Sequence, residues 1–210
     1  NTTIFFFFFT QNSYIQRNIG GNNAKVGFDY YASKKATFGV VLTGFINPSH
    51  VDVTNKAKVF NASNEVTSLV EAISPTDKTL KNGSINLNYA YKLDSTGKEL
   101  STNVDYIHYQ ATTAQSLTNS LFDAQNKFVS QSVLVSSLPT NIDIGTAKID
   151  YVHPLASGGK FETGVKTSFI STGNVADFSD QVDGKLFPNY EFTNSFNYNA
   201  VDAINLAVSG

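Results

Sequence analysis

The chain has 210 residues, a formal net charge of -2, 15% charged residues and 41% hydrophobic ones, with 17 Phe and 10 Tyr but no Trp, Met or Cys. The lack of cysteine excludes disulfide frameworks, thiol catalysis and most structural zinc sites. A single arginine, Arg17, and a slightly acidic balance exclude a nucleic-acid surface, which needs clustered cations to displace counterions.

Thr, Ser, Val, Tyr, Phe, Asn and Gly dominate over the helix formers, so strands and turns are expected throughout. The run Ile4 to Phe9 in "NTTIFFFFFT" has no basic residue before it and no small-residue cleavage site after it, so it is a poor signal peptide. At six apolar residues it is far short of the roughly 20 that a membrane-crossing helix needs. It reads as the start of a strand over 3–15.

Further strands are expected at 24–33, 36–46, 83–94, 98–111, 142–154, 160–172 and 191–208, with extra strand within 57–73. Period-2 alternation carries this reading. In 24–33, Val26, Phe28 and Tyr30 alternate with Lys25, Gly27 and Asp29; in 83–94, Ile85, Leu87, Tyr89, Tyr91 and Leu93 alternate with Asn86, Asn88, Ala90, Lys92 and Asp94. In 160–172, Phe161, Val165 and Phe169 lie opposite Glu162, Lys166 and Ser168.

Short turns at 32–37, 94–98 and 155–160 centre near Lys34, Thr96 and Gly158, 62 residues apart (34, 96, 158). Between them lie long connections, roughly 47–82, 112–140 and 172–190, which hold Pro48, Pro75, Pro139 and Pro188. All tight turns therefore fall at one end of the sheet and all long connections at the other, the asymmetry of outer-membrane barrels. The expected fold is all-β: an antiparallel up-and-down meander of about eight long strands, part of a transmembrane outer-membrane β-barrel. Its apolar face meets lipid and its polar face the lumen. Tyr14, Tyr30, Tyr89, Tyr91, Tyr106 and Tyr151 are candidates for an aromatic girdle at the headgroup level.

Candidate sites are few. His50, His108 and His153 have no second ligand at metal spacing. His50 is expected in a long loop, and His153-Pro154 as a strand end. The carboxylate pairs Asp177/Asp180 and Glu71/Asp77 are weighed as acid–base or Ca²⁺ groups, but "DFSDQVD" lacks the turn glycine and terminal Glu of a calcium loop. "NAS" at 61–63 is expected in a loop and "NGS" at 82–84 at a strand start. No phosphate loop, nucleophile elbow or triad order appears, so no enzyme is expected, with no catalytic residue, metal or cofactor assigned.

"VGFDYYASKKATFGVVLTG", "LNYAYKLDSTGKELSTNVDYIHY" and "AKIDYVHPLASGGKFETGVKTSFISTGN" resemble, in this order, successive hairpins of the outer-membrane β-barrel family related to TonB-dependent receptors. Asp-Tyr pairs recur at Asp29-Tyr30, Asp105-Tyr106 and Asp150-Tyr151, and His153-Pro154 followed by "GGKFETGVKTSF" is the most specific piece. The resemblance covers roughly 14–209. It implies one partial β-barrel domain over 1–210, an internal fragment without plug domain or barrel C-terminus, from a receptor that moves a scarce nutrient across the outer membrane of a Gram-negative bacterium. The implied partners are outer-membrane lipid, the remainder of the barrel, a plug domain, and an inner-membrane energising complex reached through parts absent here. Two other readings stand beside it: a soluble secreted β-sandwich or adhesin-like binding module, and a complete eight-stranded barrel.

Overall fold

The computed structural model describes residues 7–156 and 158–209, with side chains described as far as Val201. Residues 3–6 of the first expected strand, and Ser157 in the third short turn, lie outside the described residues. Ten strands form a single antiparallel sheet: β1 (Phe8–Ile19), β2 (Asn22–Tyr31), β3 (Ala36–Phe60), β4 (Val66–Lys92), β5 (Glu99–Asp123), β6 (Phe128–Ser137), β7 (Thr140–Pro154), β8 (Lys160–Val182), β9 (Lys185–Pro188) and β10 (Asn194–Ser209).

The register shows that these ten strands occupy seven lanes. Both β1 and β2 pair with β3 in one unbroken register, Ile19 opposite Ser49 and Asn22 opposite Ile46. Likewise β6 and β7 share one register against β5 and one against β8. Strands β9 and β10 both lie on the outer side of β8, separated by the excursion 189–193. The meander therefore runs 8–31, 36–60, 66–92, 99–123, 128–154, 160–182 and 185–209.

Proline accounts for the interruptions, because it has no N–H to give to a ladder. Gly20 donates to the carbonyl of Pro48 at 2.9 Å, and Pro48 returns nothing; the gap between β1 and β2 falls there. Val175 donates to the Pro139 carbonyl at 3.0 Å in the same one-way manner, and the gap between β6 and β7 falls there. Pairing of β4 with β5 lapses between Ile73 and Thr76, around Pro75, while the register is kept. Pro188 ends β9.

Three of the reversals are built alike. Asn61 Oδ1 accepts from Ser63 N (3.0 Å) and Glu65 N (2.9 Å), and Asp123 Oδ1 accepts from Gln125 N (3.0 Å) and Lys127 N (2.8 Å). Asp94 accepts from Thr96 N (2.9 Å) and Thr96 Oγ1 (2.6 Å), and these bonds, the hydroxyl's foremost, hold its carboxyl well below the usual carboxylate range. In each turn the fourth residue, Asn64, Asn126 or Gly97, takes a positive φ, as a type I turn closed by a left-handed residue requires.

The expected long connections are thus corrected. Residues 47–60 and 66–82 are paired strand, as are most of 112–140 and 172–182, and the true reversals there are 61–65, 124–127 and 183–184. The extra strand expected within 57–73 is present on both sides of the first of these. "NGS" at 82–84 lies inside β4 rather than at its start, and Pro48 and Pro75 sit within strands. The short turns stand where the sequence places them, and β7 ends at His153-Pro154.

Close approach marks two glycines, Gly39 and Gly164, the latter under the Asp150 carboxylate and the Ile149 carbonyl. A Cβ on Gly39 of β3 would meet the Asn88 amide from one neighbour and the Asp29 carboxylate from the other, whereas one on Gly83 would meet nothing. Gly39→Val is expected to cost about 1–3 kcal/mol of stability through overpacking. Gly83→Val is expected to cost nothing, both measured as urea unfolding midpoints of the full-length protein in lipid vesicles.

Candidate functional site: an inside-out sheet wall

Directly opposed residues of an antiparallel pair share a face, so the register sorts every side chain. On one face, over the half of the sheet near the short turns, lie Val26, Phe28 and Tyr30; Phe38, Val40 and Leu42; Ile85, Leu87, Tyr89 and Tyr91; Leu100, Thr102, Val104 and Tyr106; Ala147, Ile149 and Tyr151; and Val165 and Phe169. No charged side chain interrupts this band. The other face carries Lys25, Asp29, Asn86, Asn88, Asn103, Asp105, Thr146, Lys148, Asp150 and Lys166.

Exposure tells which face is convex. Along β4, Lys81, Gly83, Ile85 and Leu87 are exposed, while Asn82, Ser84, Asn86 and Asn88 are half-buried. Side chains splay on the outside of a curved sheet and converge on its inside, so the apolar band is convex and the polar face concave. The polar side chains bond to one another there. Asp105 accepts from Asn86 Nδ2 (2.6 Å) and Thr146 Oγ1 (2.9 Å), and Lys148 Nζ lies 2.8 Å from Asp150.

Among the described residues no apolar side chain is buried. A β-sandwich fills the space between two sheets with inward apolar residues, and here a single sheet presents its apolar band outward. The sandwich reading is therefore set aside. The convex band spans residues 85–91 of β4, seven residues, or about 23 Å along the strand and about 18 Å in height at a tilt near 40°, most of the ~25 Å apolar band of an outer-membrane barrel.

Past the band, towards the reversals at 61–65 and 124–127, the polarity inverts. The convex face becomes polar, with Lys81, Gln110 and Asn141 in one row and His108 bonded to Asp143 (2.7 Å) in the row before. The concave face gains apolar residues on its central strands: Ile107, Ile144 and Ile170 lie in one cross-strand row with Lys25, Thr43 and Ser84, and Phe45, Tyr109 and Ile142 belong to the next with Asn23 and Asn82. Sequence reasoning missed this inversion; its signal is the shift of apolar residues from even positions (Val104, Tyr106) to odd ones (Ile107, Tyr109) within β5.

The tyrosine girdle is found in part. Tyr30, Tyr89, Tyr91 and Tyr151 edge the band near the short turns, with Tyr89 packed on Phe38 (4.6 Å between centroids) and on Tyr91 (6.3 Å). Tyr106 stands at the opposite edge, its hydroxyl donating to Asp143 at 2.6 Å. Tyr14 is corrected: it pairs with Thr54, far beyond the band.

His50 lies in β3 rather than in a loop. Its Nδ1 is 2.7 Å from Asp77 and its Nε2 3.2 Å from Asp52. The carboxylate pairs come apart. Asp177 and Asp180 project to opposite faces of β8, and Glu71 and Asp77, six residues apart on β4, are engaged by Lys56 (2.8 Å) and His50. Among the described residues no cluster of three metal-ligating side chains is present.

Two measurements check these surfaces. Leu87→Arg or Val165→Arg is expected to cost about 2–4 kcal/mol near the bilayer midplane, and Asn103→Arg or Lys166→Arg little, by urea unfolding in vesicles; equal costs would refute the assignment of faces. The hydrogen bond to Asp77, foremost, raises the His50 pKa above 6.5, so its two ion pairs stand fully formed below pH 6.5 and are lost as pH rises through the raised value. An NMR titration of His50 should give a midpoint above 6.5 that falls in Asp77→Asn.

No curated protein sequence matches the chain. A solved structure, OccK10 (OpdN) of Pseudomonas aeruginosa, aligns with 94% of this chain and 100% of its own at 7% identity, with a TM-score of 0.12, too slight a likeness to bear on the fold. The model of the family described as "Outer membrane protein beta-barrel family" matches residues 91–201, just over half of the chain and including four of the seven lanes in whole or large part. That match agrees with an uncharged apolar band on the convex side of a long-stranded meander: the chain belongs to the outer membrane protein beta-barrel family, and its place is the cell outer membrane.

Proposed function

We propose that the chain forms part of the wall of a TonB-dependent-receptor-like barrel that carries a scarce nutrient inward across the outer membrane, without enzymatic activity of its own. The observation that carries this reading is the pairing of an uncharged convex band with a charged, hydrogen-bonded concave face over the same seven-residue height. A wall of that kind separates lipid from a hydrated passage. Outer-membrane lipid is then the partner of the convex face. A plug domain and the rest of the barrel are the partners of the concave face and the two sheet edges. An inner-membrane energising complex acts through parts of the protein other than this chain.

The length of the lanes supports a receptor over a minimal pore. At ~3.3 Å per residue, the 27 residues of β4 reach about 90 Å, three times the ~30 Å hydrocarbon core, so paired strand continues far outside the lipid at the end opposite the short turns. Such an extension offers a deep vestibule in which a ligand is held before passage.

Two experiments bear on the reading. In the full-length protein on intact cells, single cysteines at Ser63 and Gln125 are expected to react with an impermeant thiol reagent, and cysteines at Lys35 and Thr96 to be protected; the reverse pattern would overturn the orientation. Uptake of the nutrient that restores growth to a strain dependent on this protein should stop when the proton-motive force is collapsed. Undiminished uptake would leave a passive channel in place of an energised receptor.

A further inference from the structure

The hairpin of β7 and β8 places Lys148 directly opposite Lys166 on the concave face. Opposed residues there have Cβ atoms ~4.5–5.5 Å apart, and like charges so placed destabilise a sheet. Neither lysine is needed for solubility, since water reaches this face only through the lumen. Two lysines opposed within the band height make a place where an anion is favoured, with Lys148 shared between that anion and Asp150, 2.8 Å away.

The neighbouring side chains fit that role. Asn103 stands opposite Lys148 on the other side, and Asn88 opposite Asn103, so one row across four strands presents two amides and two ammonium groups. Among the described residues neither Lys166 nor Asn103 has a side-chain hydrogen bond or ion pair. One acidic group lies in the row itself, Asp29 at its β2 end, beyond Gly39 and Asn88, and the others are disposed around it. Asp105 is taken up by Asn86 and Thr146, and Asp150, one row towards the short turn, holds Lys148 from below at 2.8 Å. The backbone of Asp202 lies opposite Ser168, one row towards the opposite end. A hollow of about 300 Å³ lies on the short-turn side of Lys148, lined also by Asp150, Glu162 and Gly164, so the carboxylates there confine a bound anion to the side of Lys148 that faces Lys166.

We propose that Lys148, Lys166 and Asn103 form an anion-binding station on the inner wall, taking the carboxylate or phosphate group of a small solute. The inference rests on the reading of the concave face as the lining of a passage, and adds that the solute is anionic. Lysine suits a transient station: each ammonium is a point charge on a flexible stem with three donors, able to turn from Asp150 or from open water to the solute and back. Lys148 is shared, so Asp150 and the solute compete for it.

The test uses the full-length protein in lipid nanodiscs, its lysines carrying ¹³C-methyl groups that keep the charge, with inorganic phosphate as the probe at constant ionic strength. The Lys148 and Lys166 signals, assigned by loss in Lys148→Met and Lys166→Met, are expected to shift together along one saturable curve. Lys34 in a turn and Lys81 on the convex face are expected to stay still. Lys166→Met should weaken phosphate about tenfold, as loss of a charge-assisted bond does, and Asp150→Asn should tighten it severalfold by releasing Lys148. Shifts no larger than those of Lys34 and Lys81 would mean an adventitious ion only and overturn the station. So would a tightening in Asp150→Asn without any weakening in Lys166→Met, or a silent pair already held by a carboxylate of the protein itself. Flux of the growth-restoring nutrient, measured in parallel on cells, separates the two readings. Energised flux with no phosphate shift removes the station alone, and a saturable shift without flux removes the transport reading alone.

Discussion

In hydrocarbon an unpartnered backbone N–H or C=O costs several kcal/mol, because no water is present to satisfy it. That constraint governs where this sheet tolerates interruption. Pro48, Pro75, Pro139 and Pro188, each of which deprives a ladder of a donor, all lie beyond the apolar band, and Pro154 lies at the edge of a short turn. Within the band height the ladders β3–β4, β4–β5, β5–β7 and β7–β8 run without a missing pair, and the ladder of β8 with the outer strand β10 carries a bulge between Asp202 and Asn205. Outside it water fills the vacant positions, and the lanes keep their register across each gap. The prolines punctuate the strands without breaking them.

The same constraint shapes the reversals. Where the chain must turn, an Asn or Asp side chain takes up two backbone N–H groups that the ladder no longer serves, at Asn61, Asp94 and Asp123. A left-handed residue then closes the turn tightly enough for the next strand to begin at once. The reversals at the two ends of the sheet are nearly equal in size. What differs between the ends is the distance from the band: the short turns follow it directly, whereas the opposite reversals come after long extensions of paired strand.

That difference explains what was legible in the sequence. Alternation through Ile85, Leu87, Tyr89 and Tyr91, or through Val165 and Phe169, has one phase and one outward environment, and the band half of the sheet could be read from it. The exact register that sets Lys148 opposite Lys166 was not legible, since it is centred one residue before Gly158, the centre read from the sequence. The extensions were not legible as strand, because within β5 the apolar phase slips by one residue at Tyr106-Ile107, and beyond it Thr112, Ser116, Thr118 and Ser120 leave little contrast between faces. Ser, Thr and Asn read as loop when isolated. Here pairing on both sides overrides that preference, as it does for His50, whose position in β3 is fixed by β1 and β4 rather than by its own neighbours.

The phase slip also has a physical reason. Within the band, lipid lies outside and water inside, so apolar residues face outward; beyond it water lies outside, and the outward face changes to Lys81, Gln110, Asn141 and the hydrogen-bonded pairs His50–Asp77 and His108–Asp143. Had the lumen remained a plain aqueous channel at that height, both faces would be polar. Instead Ile107, Ile144 and Ile170, with Phe45, Tyr109 and Ile142 beyond them, form an apolar patch on the concave surface. In water such a surface is stable against another apolar one, as each layer of a soluble domain is. The sheet is thus two walls in series: a membrane wall with a charged inner row, and beyond it a wall whose inner face carries an apolar patch among polar residues.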